Sequence, residues 1–400
     1  MITATRILRA ATIAAAAALW ALAATSLWST TVPAALQLPT LDERRLFGAV
    51  LVHDAERFER FLDWTWVAAT LASLAAYVLV VRRARALAPR LGLGPVNGGI
   101  VLGVLALTAA WAASLPFAVA ATWWERRHGI SRESYAAMLG AAWGRMLAVA
   151  FLATVLLAIV LALAQRLGRN WWLVAVPTLV AVFFALQVTA PYLDGGGTHA
   201  VRSAALRTEI RMLERREHAG SPDVRIADVS SRTRAANAFS EGIGPTARVT
   251  LWNTLFGPGF GRAEVRFVVA HELAHLARNH IARGVGWFAL LVLPILAATA
   301  YAADIRRPAA VPLALLVIAL LRVAVLPLQN AISRRYEAEA DWVGLDGTRD
   351  PAAARGLFTG FVATSLEDPR PPGWVHVLLD DHPTPLQRVE LARAWRADNR

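Results

Sequence analysis

The sequence predicts a mainly α-helical integral membrane protein with seven membrane-crossing helices and a small soluble part that contains a β-sheet. Of the 400 residues, 56% are hydrophobic and the mean hydropathy is +0.44, which is too apolar for an ordinary soluble protein. Seven apolar stretches reach or approach the ~20 residues that a helix needs to cross a bilayer. They lie at about 10–28, 64–81, 98–122, 146–164, 171–193, 284–303 and 309–328.

Trp and Tyr residues stand at several ends of these stretches, as is typical of helices that end at the membrane–water interface. They are Trp64, Trp66, Trp123, Trp124, Trp171, Trp172 and Tyr301. An alternative for the first stretch is a cleaved signal peptide. Because its apolar run is long for that role, we expect a retained anchor.

The charge and the cysteine count narrow the chemistry of any functional site. The formal net charge is +12, and since the chain contains no Lys, all 41 cationic side chains are Arg. These Arg residues mostly flank apolar segments, which favours anchoring at membrane surfaces over nucleic-acid binding. The absence of Cys excludes thiolate ligands, so any zinc ion must be held by His and carboxylate side chains.

The polar sequence is concentrated in two blocks that two apolar stretches separate. Residues 1–193 form an amino-terminal membrane region with five spans, 194–283 a first soluble block, 284–328 two further spans, and 329–400 a second soluble block. Because two spans return the chain to the side on which it started, both blocks lie on the same face and can build one site. The glycines at 195–197 are predicted to be a hinge.

Local patterns predict the secondary structure of the soluble blocks. Alternating apolar and polar residues predict short strands at 223–230, 236–243 and 247–254. Residues 262–283 are predicted to form one helix, and 329–345 a second helix that continues the seventh span.

Two further features lie in the membrane region. Arg322 stands in the middle of the seventh stretch, where a charged side chain usually faces a cavity or a partner. Either it lines an interior cavity or the span boundary lies elsewhere. The glycine-rich residues 92–99 lack the strand and helix of a nucleotide-binding loop, so they are predicted to be a turn.

Residues 271–275 read HELAH, an HExxH sequence within the predicted helix. Positions i and i+4 lie on one helix face, so His271 and His275 can bind one zinc ion. Glu272 stands beside them and can take a proton from the metal-bound water. The alternative is a surface helix with two spare histidines. The motif favours one zinc ion per chain.

The residues after the motif decide where a third ligand can come from. The metzincin pattern requires Gly at 278 and His at 281, but Arg and Ile stand there, which excludes that class. His280 lies five residues past His275 and off the ligand face. We expect its side chain to be solvated or to support a ligand.

A carboxylate from the second soluble block is the other source of a third ligand. Residues 333–341 read SRRYEAEAD, in which Glu337 and Asp341 are again four residues apart. Glu337 is predicted to ligate zinc, and Asp341 to accept a hydrogen bond from a ligand imidazole and fix its tautomer. Glu339 points elsewhere on that helix. The alternative is a charged helix end that leaves the membrane.

The sequence AHELAHLARNH, followed by two spans and SRRYEAEAD, resembles the M48 family of gluzincin peptidases. Within it, the chain most resembles the Ste24-type CAAX prenyl proteases. Four more segments are similar to stretches of that family: Trp124–Ile130, Asn237–Phe239, Arg248–Leu255, and Asp381–Thr384 with Arg388 and Val389. The resemblance therefore spans most of the chain.

The resemblance implies a ring of seven helices that encloses a water-filled chamber, with a gluzincin-like metalloprotease domain facing it. Residue by residue, it implies that the zinc ligands are His271, His275 and Glu337 and that the general base is Glu272. It implies three more roles: His382 steadies the oxyanion, Arg388 supports the site, and Asn237 lies on an edge strand that holds the substrate backbone.

The resulting hypothesis is a zinc metalloendopeptidase that cleaves peptide or protein substrates. Lipid-modified chains are among the family's substrates, although this chain's bacterial composition weakens the case for a prenylated one. Membrane lipids are expected partners and nucleic acid is not. The composition is typical of a bacterial protein, so a bacterial cell membrane is expected. Arg334 and Arg335 after the last span, and Arg202 and Arg207 after the fifth, favour an active site towards the cytoplasm.

Three alternatives remain open at this point. A membrane quality-control protease of the heat-shock M48 branch would share the zinc helices but has fewer spans. A sensor-transducer would need a large ligand-binding block on the opposite face, and the sequence contains none. A non-catalytic membrane scaffold or transporter is disfavoured because both His residues, the base, the third carboxylate and its supporting Asp are all present.

Overall fold

The computed structural model describes residues 2–193 and 197–399, and the predicted hinge at 195–197 falls largely outside them. The described residues form thirteen α-helices and four strands. The helices are α1 (Ile2–Trp28), α2 (Glu43–Phe47), α3 (Ala49–Arg90), α4 (Pro95–Arg127), α5 (Tyr135–Leu167), α6 (Trp172–Leu193), α7 (Ala204–Glu217), α8 (Arg262–Ala277), α9 (His280–Ala302), α10 (Val311–Thr348), α11 (Pro351–Ser365), α12 (Gly373–Leu378) and α13 (Pro385–Asp398). The strands are β1 (Thr198–Ala200), β2 (Asp223–Ala227), β3 (Ala238–Glu241) and β4 (Arg248–Trp252).

Five helical segments of the described chain are long and apolar enough to cross a membrane. They are Ala49–Arg90, Pro95–Arg127, Tyr135–Leu193, His280–Ala302 and Pro308–Thr348. The third contains both α5 and α6, which a short turn at Gly168–Trp171 joins, and α1 carries a shorter apolar run at Ala14–Trp28. Each predicted apolar stretch thus lies largely in a helix, whereas the count of seven crossings stays a prediction.

Small residues let the membrane helices approach closely, as is common where lipid supplies no hydrophobic drive between helices. A Cβ added at Gly99 would lie 2.8 Å from Leu161 of α5, and one at Gly103 would lie 2.7 Å from Leu157. The predicted turn at 92–99 is therefore right only to Gly94. From Pro95 onward the chain is helical, because Pro fits the first turn of a helix and the glycines face α5.

The predicted helix at 262–283 is in fact two helices. α8 ends at Ala277, Asn279 adopts a left-handed conformation with φ of 54°, and α9 begins at His280. Asn tolerates this conformation better than most residues, so it allows the chain to change direction here. The break turns His280 back towards α8.

The four strands form one mixed sheet in the order β1-β2-β4-β3. β2 and β4 are parallel, and both outer pairs are antiparallel. The three predicted strands are present with shorter bounds, and β1 is an addition. β3 lies at an edge of the sheet, on the side next to α8. The main soluble core packs around Phe267, Leu273 and Phe358.

α10 carries the chain from the membrane into the soluble part without a break, as the sequence predicts. It packs tightly against α8 at Gly344, where an added Cβ would lie 3.2 Å from the backbone nitrogen of His271. The absence of a side chain at this position therefore sets the distance between the two helices that carry the predicted ligands.

We expect Gly344→Val to lower the free energy of unfolding by about 1–3 kcal/mol, because overpacking forces α10 away from α8. Thermal unfolding in detergent measures the change. Gly140→Val on α5 is the matched control, since a Cβ there meets no atom within 4 Å. Equal unfolding temperatures for both variants would contradict the close contact.

Glu217 at the end of α7 is a buried carboxyl next to Gly347. Neither of its carboxyl oxygens has a hydrogen-bond partner in the described part of the chain. Burial raises the pKa of Glu217 to about 9, so the folded protein holds a proton that an unfolded Glu, with a pKa of about 4.3, releases.

Stability should therefore fall as pH rises from about 5 to 9, because the folded state binds more protons than the unfolded state in this window. We expect Glu217→Gln to remove this loss, so that its advantage over wild type grows with pH. Thermal unfolding across that range tests it, with Asp398→Asn as an exposed control. A constant difference between wild type and variant would be the contrary result.

Candidate metal centre

His271 and His275 project from the same face of α8 towards α10, as their spacing predicts. Their Nε2 atoms are 3.1 Å apart. From α10, Glu337 brings Oε2 to 3.2 Å from His271 Nε2 and Oε1 to 3.4 Å from His275 Nε2. One ligand atom from each of the three residues lies within 4.8 Å of the others. The three predicted ligands thus meet at one point.

These three side chains suit a metal ion. Ligand atoms at 2.0–2.1 Å from one tetrahedral zinc lie roughly 3.3 Å apart, close to the separations found here. Glu337 Oε2 is buried and lies near the His271 and His382 imidazoles, but among the described residues none of its contacts has hydrogen-bond geometry. Two imidazole nitrogens and a carboxylate are a ligand set typical of zinc.

Asp341 and Arg388 hold His271 in place. Asp341 Oδ1 lies 2.9 Å from His271 Nδ1, which leaves Nε2 free to face the shared point. Arg388 donates to both Asp341 oxygens, at 2.8 and 2.7 Å, and its guanidinium lies 4.3 Å from the Phe358 ring centroid. The sequence predicts this role for Asp341 and, through the resemblance, a supporting role for Arg388.

The electrostatics of the cluster favour positive charge. Burial alone lowers the pKa of His271, but its contacts with Asp341 and Glu337 outweigh this and raise the pKa to about 10. Burial also opposes the charge of Arg388, yet Asp341 raises its pKa above the ordinary range. A cation between the imidazoles therefore meets a site that is already arranged to stabilise it.

Glu272 lies next to the ligand pair and is buried. Ser240 Oγ donates to Glu272 Oε2 at 2.7 Å and is 3.2 Å from the Glu272 backbone oxygen. Ser240 is on β3, so the edge strand orients the predicted general base. Sequence reasoning missed Ser240, because nothing in its local pattern indicates a contact 32 residues away.

His382 and Asn237 line the open side of the site. His382 Nε2 is 3.4 Å from Glu337 Oε2, and its Nδ1 is 2.7 Å from Asp381 Oδ1. Burial lowers the pKa of His382, but Glu337 and then Asp381 raise it to about 9. Asn237 is exposed and precedes β3; it shares a cavity with Glu272, His382 and other residues. Their catalytic and substrate-binding roles stay predictions.

His280 is not solvated, which corrects one of the two expectations for this residue. It is buried, with 5% of its surface exposed, and its Nδ1 lies 2.9 Å from His275 Nδ1. Its Nε2 lies 3.1 Å from Glu339 Oε2, and its ring stacks on Tyr336. The left-handed Asn279 places it there, and that turn was the signal that sequence reasoning overlooked.

Glu339 points away from the predicted ligands, as expected, but it connects them to the first apolar helix. Thr31, just after α1, donates to Glu339 Oε1 through its backbone nitrogen at 2.8 Å and its hydroxyl at 3.0 Å. Arg283 bonds Glu339 Oε2 at 3.0 Å and the Leu27 carbonyl at 2.7 Å. A chain of polar contacts thus runs from Thr31 through Glu339 and His280 to His275.

We expect Glu339→Gln to weaken metal binding about 10–100-fold, because the residues behind a ligand fix its orientation and basicity. Competition with a chelator, followed by metal analysis, measures the affinity. Asp398→Asn is the control, since it removes an exposed carboxyl at the carboxy-terminal helix, outside the chain of contacts. Equal affinity in the two variants would mean that Glu339 does not position His275.

Comparison with known proteins agrees with this geometry. The sequence pattern of peptidase family M48 matches residues 201–396, about half of the chain. An uncharacterized metalloprotease, YhfN, from Bacillus subtilis is 28% identical over 248 residues, which are 58% of each protein. A CAAX prenyl protease 1 homolog from Arabidopsis thaliana is 25% identical over 322 residues, 74% of this chain and 70% of that one.

A solved structure shares the fold. The crystal structure of Ste24p from S. mikatae superposes with a TM-score of 0.68 and 16% identity, covering 94% of this chain and 96% of that one. The matched family region contains the cluster of His271, His275 and Glu337. The chain therefore belongs to peptidase family M48 and shares the fold of Ste24p.

Proposed function

We propose that this protein is a membrane-embedded zinc-dependent endopeptidase that hydrolyses peptide bonds. The observation that carries the proposal is the meeting of His271, His275 and Glu337 within 4.8 Å, with Glu272 beside them. The M48 match and the metalloprotease and CAAX-protease relatives support it. A scaffold or transporter would have no use for a buried proton acceptor at this position.

Zinc, held by His271, His275 and Glu337, would supply Lewis-acid chemistry: it polarises a carbonyl and acidifies water. The protein's own residues do the rest. Glu272, oriented by Ser240, takes the proton from the attacking water and delivers it to the leaving amine. His382, on the open side, donates a hydrogen bond to the oxygen that becomes negative. Asp341 and Arg388 keep His271 in the required tautomer.

Substrate would bind along β3 as an added strand. The Ala238 backbone nitrogen is already bonded to the Asn237 side chain at 2.8 Å, so Asn237 marks the end of the edge that a peptide can pair with. Backbone pairing at a free sheet edge holds a peptide extended, which presents its carbonyl to the site. The substrate class is therefore a peptide or an extended segment of a protein.

The membrane part would enclose a chamber formed by seven crossings, with five in residues 1–193 and two in 284–328. Residues 194–283 and 329–400 would form the two parts of the peptidase domain. Cavities of about 520 and 490 Å³ lie between the helices, and Arg322 lines both, which supports an interior reading of that residue. Membrane lipids surround this part, and the active site would face the bacterial cytoplasm.

Lipid-modified substrates are a narrower proposal that rests on the name of the Arabidopsis relative. Apolar walls at Phe183, Leu291 and Ile318 line the 490 Å³ cavity and would suit an isoprenyl or acyl chain. Cleavage of a prenylated peptide faster than its unmodified twin would support this reading. Equal rates would leave a general endopeptidase of the membrane quality-control kind.

The test of the proposed function is Glu272→Gln in the purified full-length protein. We expect about one zinc per chain in wild type and variant, and cleavage of casein or a prenyl peptide reduced about 10²–10⁴-fold in the variant, because the proton acceptor is lost. Asp398→Asn, at an exposed position, is the control and should cleave as wild type does. Metal analysis and product mass spectrometry provide the readouts.

Three outcomes separate the alternatives. Zinc absent from every preparation would overturn the metal site and favour a non-catalytic scaffold or transporter. Equal cleavage by wild type and Glu272→Gln would exclude Glu272 as the base. Bound zinc without cleavage of either substrate would contradict a general endopeptidase and point to one that acts on a narrow set of substrates.

A further inference from the structure

A cavity of about 180 Å³ opens beside Glu272. Its volume is larger than a metal ion needs. Its apolar walls are Val268, Leu357 and Phe361, and its polar lining includes Glu367. A cavity of about 150 Å³ is large enough for a benzene molecule, so this one accommodates a single amino-acid side chain. Its position beside the general base places that side chain next to the cleaved bond.

Glu367 is the feature of this cavity that the proposed reaction does not use. In the described part of the chain, its carboxylate has no hydrogen bond and no ion pair. The cations that line the same cavity are engaged elsewhere: Arg388 by both oxygens of Asp341, and His382 by Asp381 and Glu337. Burial raises the pKa of Glu367, while the charges of Arg388 and His382 oppose that rise, although neither cation forms an ion pair with it.

More carboxylates lie behind Glu367. Asp380 and Asp381 are near enough to raise its pKa further, and the carboxyl of Glu59 on α3 is also near enough to interact with Glu367. Burial and then repulsion by neighbouring acids raise the pKa of Asp368 to about 6. The whole chain has a net charge of +12, whereas this end of the cleft contains a cluster of carboxyl groups.

We propose that this cavity is a substrate subsite for the side chain of a Lys or Arg residue adjacent to the cleaved bond. The inference rests on the proposed peptidase function. The methylene stem of such a residue lies along Leu357 and Phe361, while its charged end pairs with Glu367. Leu and Lys both fit the volume, but of the two only Lys can form a direct ion pair with Glu367.

The experiment uses full-length enzyme and peptides built on a casein segment that wild type cleaves. Each residue flanking the cleaved bond is replaced in turn by Lys, Leu or Glu. At one of these positions we expect Lys to exceed Leu in kcat/KM by about tenfold, equivalent to ~1.4 kcal/mol, and Glu to be cleaved least. Glu367→Gln should remove the Lys preference, and Glu367→Lys should reverse it in favour of Glu.

Asp398→Asn removes one charge from an exposed site at the carboxy-terminal helix and should keep the wild-type profile. The ratio of Lys to Leu peptides within each preparation is the readout, so a partial loss of folded enzyme does not change it. An unchanged ratio in both Glu367 variants, or a wild-type preference for Leu, would overturn the inference alone. If wild type cleaves no peptide at all, the proposed function falls and the inference with it.

Discussion

The contact between α8 and α10 is the constraint on which the rest of the site depends. It brings two His residues from one helix and two carboxylates from the other into a space that water scarcely reaches. Buried charges are costly unless they are paired, so Asp341 between His271 and Arg388 is needed for the cluster to exist at all. Gly344 makes the approach sterically feasible.

Sequence reasoning works where one element supplies the chemistry. His271 and His275, and separately Glu337 and Asp341, are each four residues apart on a helix, and their shared face follows from helix geometry alone. The long apolar helices and the three strands follow equally from composition and alternation. What sequence alone leaves to resemblance is that the two helices face each other, since no local pattern encodes their contact.

The misses have a common physical origin in tertiary contacts and single backbone torsions. His280 lies off the ligand face of a continuous helix, but one left-handed residue at Asn279 brings it to His275. Ser240 reaches Glu272 only because β3 runs beside α8. The turn predicted at 92–99 ends at Gly94 because the later glycines, Gly98 and Gly99, lie in a helix and pack against neighbouring segments.

The edge position of β3 has a consequence for which proteins such an enzyme can act on. A strand that binds its partner through backbone amides and carbonyls requires a partner segment that can become extended. Folded segments have already committed those groups to their own ladders, and unfolding them costs more than one added strand returns. The enzyme would then cleave mainly disordered segments. Tails, linkers and misfolded stretches are accessible to it, whereas the same sequence within a stable domain is protected.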